Sequence, residues 1–496
     1  MLTFITLLLS FVLSLLGVQA EYVTVNTFTN ALQNNVVQVE NMLSIEGIKY
    51  IVTSTVNNFV NFEPLAMLII TLIGIGVLEK SGFTRVFFTL ITQNFRKNSI
   101  TFTLVLLSII SSIFGNIGFV IMLPLGALLY KYGHRNPLGG IVASFAGICF
   151  GYGINLFLSN IDTSLLSLTL NAAHVIDKNY TIGLSFQLFL MFIAIIVSSI
   201  IITKVTEKTV MPLLGKYEFE EIETLDNVKL TNKELRGLIL SIGAGMIYVL
   251  FIIYLIVPGL PLSGRLLDDS AVYYIDKLFG PNSLFAQGFI FIITFLFILI
   301  GLVFGFVSKN LKTNKDVSEC LSYSLDKIGS IIVLIFVSSL FINVFNKSNI
   351  GLVVVAGLTS LIETFNFTGV GLIVLLLIIS IVSGLFYTGL ASKWQIMSAS
   401  VVPVFMNASI SPELAQIIFV AGSTMSMAFT PVMTYFVVYI AFLEKYDNSN
   451  QVSMFNAIKY MRHYALYILV MWFILIIGFY ITGLPLGIGS SGVLKF

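Results

Sequence analysis

Apolar residues fall in long unbroken runs along this chain, separated by short polar stretches, with little of the two-residue alternation of half-buried strands. Backbone N–H and C=O groups cannot stay unpaired in hydrocarbon, so runs of about 20 residues, enough to cross a core of about 30 Å, must be helices or helical hairpins. The pattern predicts full spans over 2–19, 63–79, 137–170, 183–203, 237–257, 286–306, 328–346, 412–443 and 463–482. Two of these, 137–170 and 412–443, are too long for one span. Each contains a helix breaker: Gly151-Tyr152-Gly153-Ile154-Asn155 in the first and Thr430-Pro431 in the second. Two further stretches, 99–131 and 369–407, are apolar at both ends and small or polar in the middle. The expected fold is therefore an all-α polytopic membrane protein with nine transmembrane helices and two re-entrant helical hairpins.

Composition supports this class. Of 496 residues 57% are hydrophobic and only 10% charged, against roughly a quarter charged in soluble domains. A net charge of +2 provides no basic field for nucleic acid. Two cysteines, Cys149 and Cys320, exclude a disulfide scaffold. The three histidines show neither metal-ligand spacing nor a serine partner at depth, so no enzyme, cofactor or structural metal is expected.

Lys and Arg concentrate on the cytoplasmic side of short loops. With re-entrant hairpins and a cytoplasmic N-terminus, 19 of the 26 basic residues fall inside and six outside, and Lys393 lies at membrane depth. Val18-Gln19-Ala20 resembles a signal-peptidase site, but residues 1–10 carry no Lys or Arg, so a retained first span is expected. The charged segment 204–236 reads as a cytoplasmic linker between a first half, 1–203, and a second half, 237–496.

The halves share a layout. Each has a span, a short amphipathic helix (82–95; 350–364), an interrupted hairpin, and a proline opening a long segment. Pro124 and Pro137 answer to Pro403 and Pro412, and Ala146-Gly147 follows Pro137 at the spacing at which Ala421-Gly422 follows Pro412. One hairpin opens inside and the other outside, so the repeat is inverted. Inverted repeats whose tips and broken helices converge at the midplane are how secondary transporters build a substrate site.

The first tip offers Ser111, Ser112, Gly115, Asn116 and Gly118, hydroxyls and an amide with glycines that let a ligand approach the backbone. The break supplies Asn155. The second tip offers Thr388, Gly389, Ser392, Lys393 and Trp394. A cation at mid-depth costs about 2.5–3.5 kcal/mol and is a functional candidate by default; Lys393 either pairs with an anionic substrate or helix end, or snorkels to a polar cavity. Trp394 offers a stacking face for a ring-bearing substrate or packs in the core. Behind Pro412, the small residues Gly422, Ser423 and Thr424 lie at the same depth, their hydroxyls free to bind substrate or Na⁺ or to bond back to their own helix. Asp162, past the first break, is either a transport residue or a cap.

These motifs resemble one family. Asn61-Phe62-Glu63-Pro64-Leu65, Gly74 through Gly82, Pro137-Leu138-Gly139-Gly140-Ile141, Ser392-Lys393-Trp394, Ser411-Pro412-Glu413-Leu414, Thr430-Pro431-Val432-Met433 and Gly483-Leu484-Pro485-Leu486-Gly487 resemble, in order and over nearly the whole chain, the AbgT family of p-aminobenzoyl-glutamate transporters. The resemblance implies a homodimer in the inner membrane that moves p-aminobenzoyl-glutamate or exports antimetabolites, driven by H⁺ or Na⁺. The chain also departs from the family pattern. Where the family's first tip carries an aspartate, this chain has Asn116; the arginine and second aspartate expected before Thr430-Pro431 are absent from Val420 through Met427; and Gly384 replaces an asparagine. Amides and hydroxyls do not titrate near neutral pH, so altered substrate or ion coupling is expected. An exporter, or a transport-inactive receptor or scaffold, is the alternative.

Overall fold

Every residue of two central helices, Pro137–Gly151 and Pro412–Met427, is buried. A helix buried on every side is surrounded by protein and not by lipid, and the rest of the chain is arranged around these two. The computed structural model describes residues 1–25, 31–155, 159–219, 230–280, 282–326, 328–365, 367–447 and 453–494.

The chain opens with α1 (Leu2–Leu15), turns at Gly17 (φ +64°), and forms an antiparallel hairpin of β1 (Gln19–Val25) and β2 (Leu32–Gln38), paired from Gln19↔Gln38 to Val25↔Leu32. The span expected over 2–19 is thus a 14-residue helix, about 21 Å long and short of the core thickness. Next, α2 (Ile45–Val60), capped by Ser44, is followed after a break at Asn61 and Phe62 by α3 (Glu63–Lys80), the two together forming one helical segment, Ile45–Lys80. Then come α4 (Phe83–Asn94), α5 (Lys97–Ile110), α6 (Ile117–Tyr132), α7 (Pro137–Gly151), α8 (Asn160–Ala173), α9 (Leu188–Val205) and the short α10 (Met211–Leu214). The expected linker, 204–236, begins in the continuation of α9 and ends in the first turn of α11; its middle, 220–229, lies outside the described residues. Between the repeats stand α11 (Asn232–Ile256), α12 (Tyr274–Phe279), α13 (Leu284–Ser308) and α14 (Asn314–Tyr323). The second half follows as α15 (Gly329–Lys347), α16 (Ile350–Thr364), α17 (Gly369–Phe386), α18 (Leu390–Asn407), α19 (Pro412–Met427), α20 (Phe436–Tyr446) and α21 (Met454–Thr482), closed by β3 (Pro485–Gly487) and β4 (Ser490–Ser491).

Among the described residues eight helical segments are long and apolar enough to cross a bilayer. Six coincide with expected full spans, and two, Lys97–Phe114 and Gly369–Phe386, are the first arms of the expected hairpins. The remaining long segments are broken: α7 stops at Gly151, and α19 stops at Met427, nine residues before α20.

The repeat extends to single hydrogen bonds. The runs α3–α9 and α15–α21 match helix for helix. Gly82 (φ +91°) and Asn349 (φ +58°) hold the same left-handed position where α4 and α16 begin. At the base of the first hairpin the Arg135 N–H donates to the Tyr130 carbonyl (2.8 Å), and at the base of the second the Ile410 N–H donates to that of Phe405 (2.9 Å). His134 and Ser409, just before, both have positive φ, and Asn136 and Ser411 cap α7 and α19. A Cβ on Gly147 would lie 2.8 Å from Ser108 Cβ, and one on Gly422 2.6 Å from Ser380 Cβ. Small residues thus bring each buried helix against the first arm of its own hairpin.

One contact has no counterpart among the described residues of the second half. Arg135 (8% exposed) pairs with Glu207 at 2.6 Å, reaches Thr101 Oγ1 at 3.1 Å and lies 4.0 Å over the Tyr130 ring. It joins both arms of the first hairpin to the end of α9.

Candidate functional site

The first tip is a single 3-10 turn, Ser111–Phe114, followed by Gly115 at φ +66°. Ser111 is spent within the hairpin: its hydroxyl donates to the Ser108 carbonyl (2.7 Å), and a Cβ on Gly118 would fall 2.3 Å from its Oγ. Buried Ser112 reaches outward, its hydroxyl 2.9 Å from Asn155 Oδ1 and 2.7 Å from the Ile109 carbonyl. Asn155 Nδ2 donates to Asp162 Oδ2 at 3.0 Å. The same carboxylate oxygen accepts from the Ser159 N–H (2.8 Å) and hydroxyl (2.7 Å), so Asp162 completes the capping box of α8 and fixes the break to the tip. Asn116 donates to Glu63 Oε1 at 3.3 Å and accepts from the Tyr152 hydroxyl at 3.2 Å. A cavity of about 170 Å³ lies beside this tip, between Ile113, Phe114, Gly115 and Ile117 on one side and Ser159, Phe285 and Phe289 on the other.

At the second tip Thr388 is half-buried, whereas Gly389 and Ser392 are exposed. The next two residues, Lys393 and Trp394, are fully buried. The Trp394 indole N–H donates to Thr169 Oγ1 (2.8 Å), itself 2.6 Å from Gln416 Oε1, and its ring packs on Phe419 with centroids 4.5 Å apart. The Lys393 Nζ sits 5.4 Å from the centre of the same Phe419 ring and has no hydrogen-bond partner among the described residues. On α19, Pro412 is the first helical residue. Ser380 fills the space beside Gly422, the Thr424 hydroxyl returns to the Ala421 carbonyl (3.2 Å), and the buried Ser423 hydroxyl has no partner among the described residues. Thr430 in the second break donates to the Leu385 carbonyl at the end of α17 (2.6 Å).

Each tip is therefore tied to the break of its own half, Ser112 to Asn155 and Leu385 to Thr430. The first break meets the body of α19, where a Cβ on Gly153 would lie 2.5 Å from Val420 Cγ1. Helix α8 bridges the predicted clusters: Asp162 and Thr169 are seven residues apart on one face, about 10 Å along the axis. The structure groups Ser112 and Asn155 at one end of that face and Lys393 and Trp394 at the other. Asn116 and Gly115 lie at the tip beside Glu63 and the small cavity. Ser111, Gly118 and Gly422 serve helix packing, and Ser392 faces outward. Glu63, Tyr152, Thr169 and Gln416 were not singled out from the sequence; Gln416, an amide one turn after Pro412 in an apolar helix, was the one with a visible signal. Among the described residues no three His, Cys, Asp or Glu side chains gather as a metal site.

Three comparisons place the chain. The AbgT putative transporter family matches residues 1–494. The p-aminobenzoyl-glutamate transport protein of Escherichia coli (strain K12) is 25% identical over 478 residues, covering 96% of this chain and 90% of that protein. Among solved structures, the Alcanivorax borkumensis YdaH transporter is similar at TM-score 0.50 and 24% identity, with 98% of each chain covered. Neisseria gonorrhoeae MtrF, described as illuminating a class of antimetabolite efflux pumps, is 28% identical, with 99% of this chain and 96% of that chain covered and a TM-score of 0.49. The match runs the length of the chain and falls on transporters, not enzymes: this protein is a multi-pass membrane transporter of the AbgT family.

Proposed function

We propose that the chain carries a small organic anion with an aromatic ring, of the p-aminobenzoyl-glutamate kind, across the cytoplasmic (inner) membrane as a secondary transporter, held between the two tips along α8. The observation that supports this most is Lys393. A buried ammonium with no acceptor is costly, and the carboxylate of a bound solute supplies the missing partner while the packed Trp394–Phe419 pair offers its ring an aromatic surface on one side. The Ser112–Asn155 cluster, about two helical turns away, takes the polar far end. On this reading 99–131 and 369–407 are re-entrant, the N-terminus is cytoplasmic, and the protein works as a homodimer. The driving ion is H⁺ or Na⁺, taken up without the two family aspartates that this chain lacks.

The test is uptake of labelled p-aminobenzoyl-glutamate by purified protein in liposomes, under an imposed Na⁺ or pH gradient. Flux that Trp394→Ala abolishes in folded protein is the expected result. Solute-induced thermal stabilisation with no flux under either gradient would favour a receptor and overturn the transport reading.

A further inference from the structure

A large cavity lies away from the tips. It is a groove of about 900 Å³ between the first hairpin (α5 and α6), α4 and the α11–α13 pair, lined almost wholly by apolar side chains such as Phe87, Phe95, Leu104, Leu107, Met246 and Leu250. Several of these, among them Phe95, Leu107, Met246 and Leu250, are more than half exposed, so the groove opens to the surroundings of the protein. Along α5 it runs from Ser99 to Leu107, about 12 Å of helix. That is close to one leaflet's share of a hydrocarbon core of about 30 Å.

The groove begins at the N-terminus of α5, and there the chain places Arg96 and Lys97, both exposed and neither ion-paired with a described residue. The first turn of α5 has no acidic residue and no side-chain cap, so its free N–H groups also face this end. The neighbouring cation, Arg85, is by contrast neutralised by Glu234.

We propose that this groove is a binding site for one anionic glycerophospholipid. Its acyl chains fill the apolar cleft between the first hairpin and α11–α13, and its phosphate sits against Arg96, Lys97 and the start of α5. Charge selects this occupant: a second copy of the chain docked by the same face would bring Arg96 and Lys97 against their own like charges, whereas an anionic headgroup complements them. A lipid wedged there touches both the hairpin and the α11–α13 pair, so its presence bears on any motion between them.

The full-length protein, purified in mild detergent, would be titrated with phosphatidylglycerol or with phosphatidylcholine of identical acyl chains and read by native mass spectrometry. One phosphatidylglycerol per protomer is expected to outlast phosphatidylcholine. The R96A/K97A double substitution, at exposed positions, should weaken phosphatidylglycerol retention roughly thirtyfold, as expected for two basic side chains near an anionic surface, and leave phosphatidylcholine unchanged. Leu107→Trp, which fills the groove, should expel both. Equal retention of the two lipids, indifference to R96A/K97A, or a disulfide-linked dimer formed by Leu107→Cys would each overturn the proposal.

Discussion

Replacing Lys393 by methionine should make the protein more stable and unable to transport. The side chain is fully buried and its Nζ has no acceptor among the described residues. Insertion of such a cation at mid-depth costs about 2.5–3.5 kcal/mol. The Phe419 ring, 5.4 Å from Nζ, offsets about 1 kcal/mol of that by cation–π attraction. Methionine keeps the length and apolar body of the side chain and discards the charge, so Lys393→Met should gain roughly 2 kcal/mol, a rise in melting temperature of about 2–4 °C. The same change removes the counter-charge for an anionic solute. Melting of the detergent-solubilised protein with and without solute, beside liposome flux, reads both effects. A variant that melts at or below the native temperature would show that the ammonium is already satisfied in the solute-free state, and one that transports normally would remove Lys393 from the site.

Other substitutions probe the framework. Glu207→Ala strands the Arg135 guanidinium, whose side chain is 7% exposed, and should cost about 3–5 kcal/mol, part of which a second change, Arg135→Met, returns; simple additivity in thermal melts would show that the pair is not coupled. Gly147→Ala and Gly422→Ala each force a methyl against the first hairpin arm and should each cost about 1–3 kcal/mol; a Gly422→Ala protein that melts like the native one would break the equivalence of the halves. Asp162→Asn weakens the cap of α8 and should lower stability by about 1–2 kcal/mol, while the driving ion stays the same; a switch of driving ion, measured in liposomes, would identify Asp162 as the coupling acid.

What the sequence disclosed is what is written in local spacing. The amphipathic helices 82–95 and 350–364 appear as α4 and α16, and both long segments break where glycines or Thr430-Pro431 demanded it. Pro137 with Gly147 and Pro412 with Gly422 mark equivalent turns. Pro124 and Pro403 do not, because Pro124 stands about one helical turn further from its partner proline. The β1–β2 hairpin and α2 were invisible because the polar stretch 21–62 has no strong period. Contacts between distant segments left no mark either. Thr169 looked like any helical hydroxyl that bonds to its own turn, and only the fold brings it between Trp394 and Gln416. Gly118 and Gly422 show a deeper ambiguity: a ligand approaching the backbone and a neighbouring helix both require the same missing Cβ, and here the neighbour occupies the space. The tips carry the argument one step further. Both halves tie tip to break, but the first does so through two side chains, Ser112 and Asn155, and the second through the Thr430 hydroxyl and the Leu385 carbonyl. At the tips the repeat keeps its geometry and changes its donors, so which group of one tip answers to which of the other can be read only from the fold.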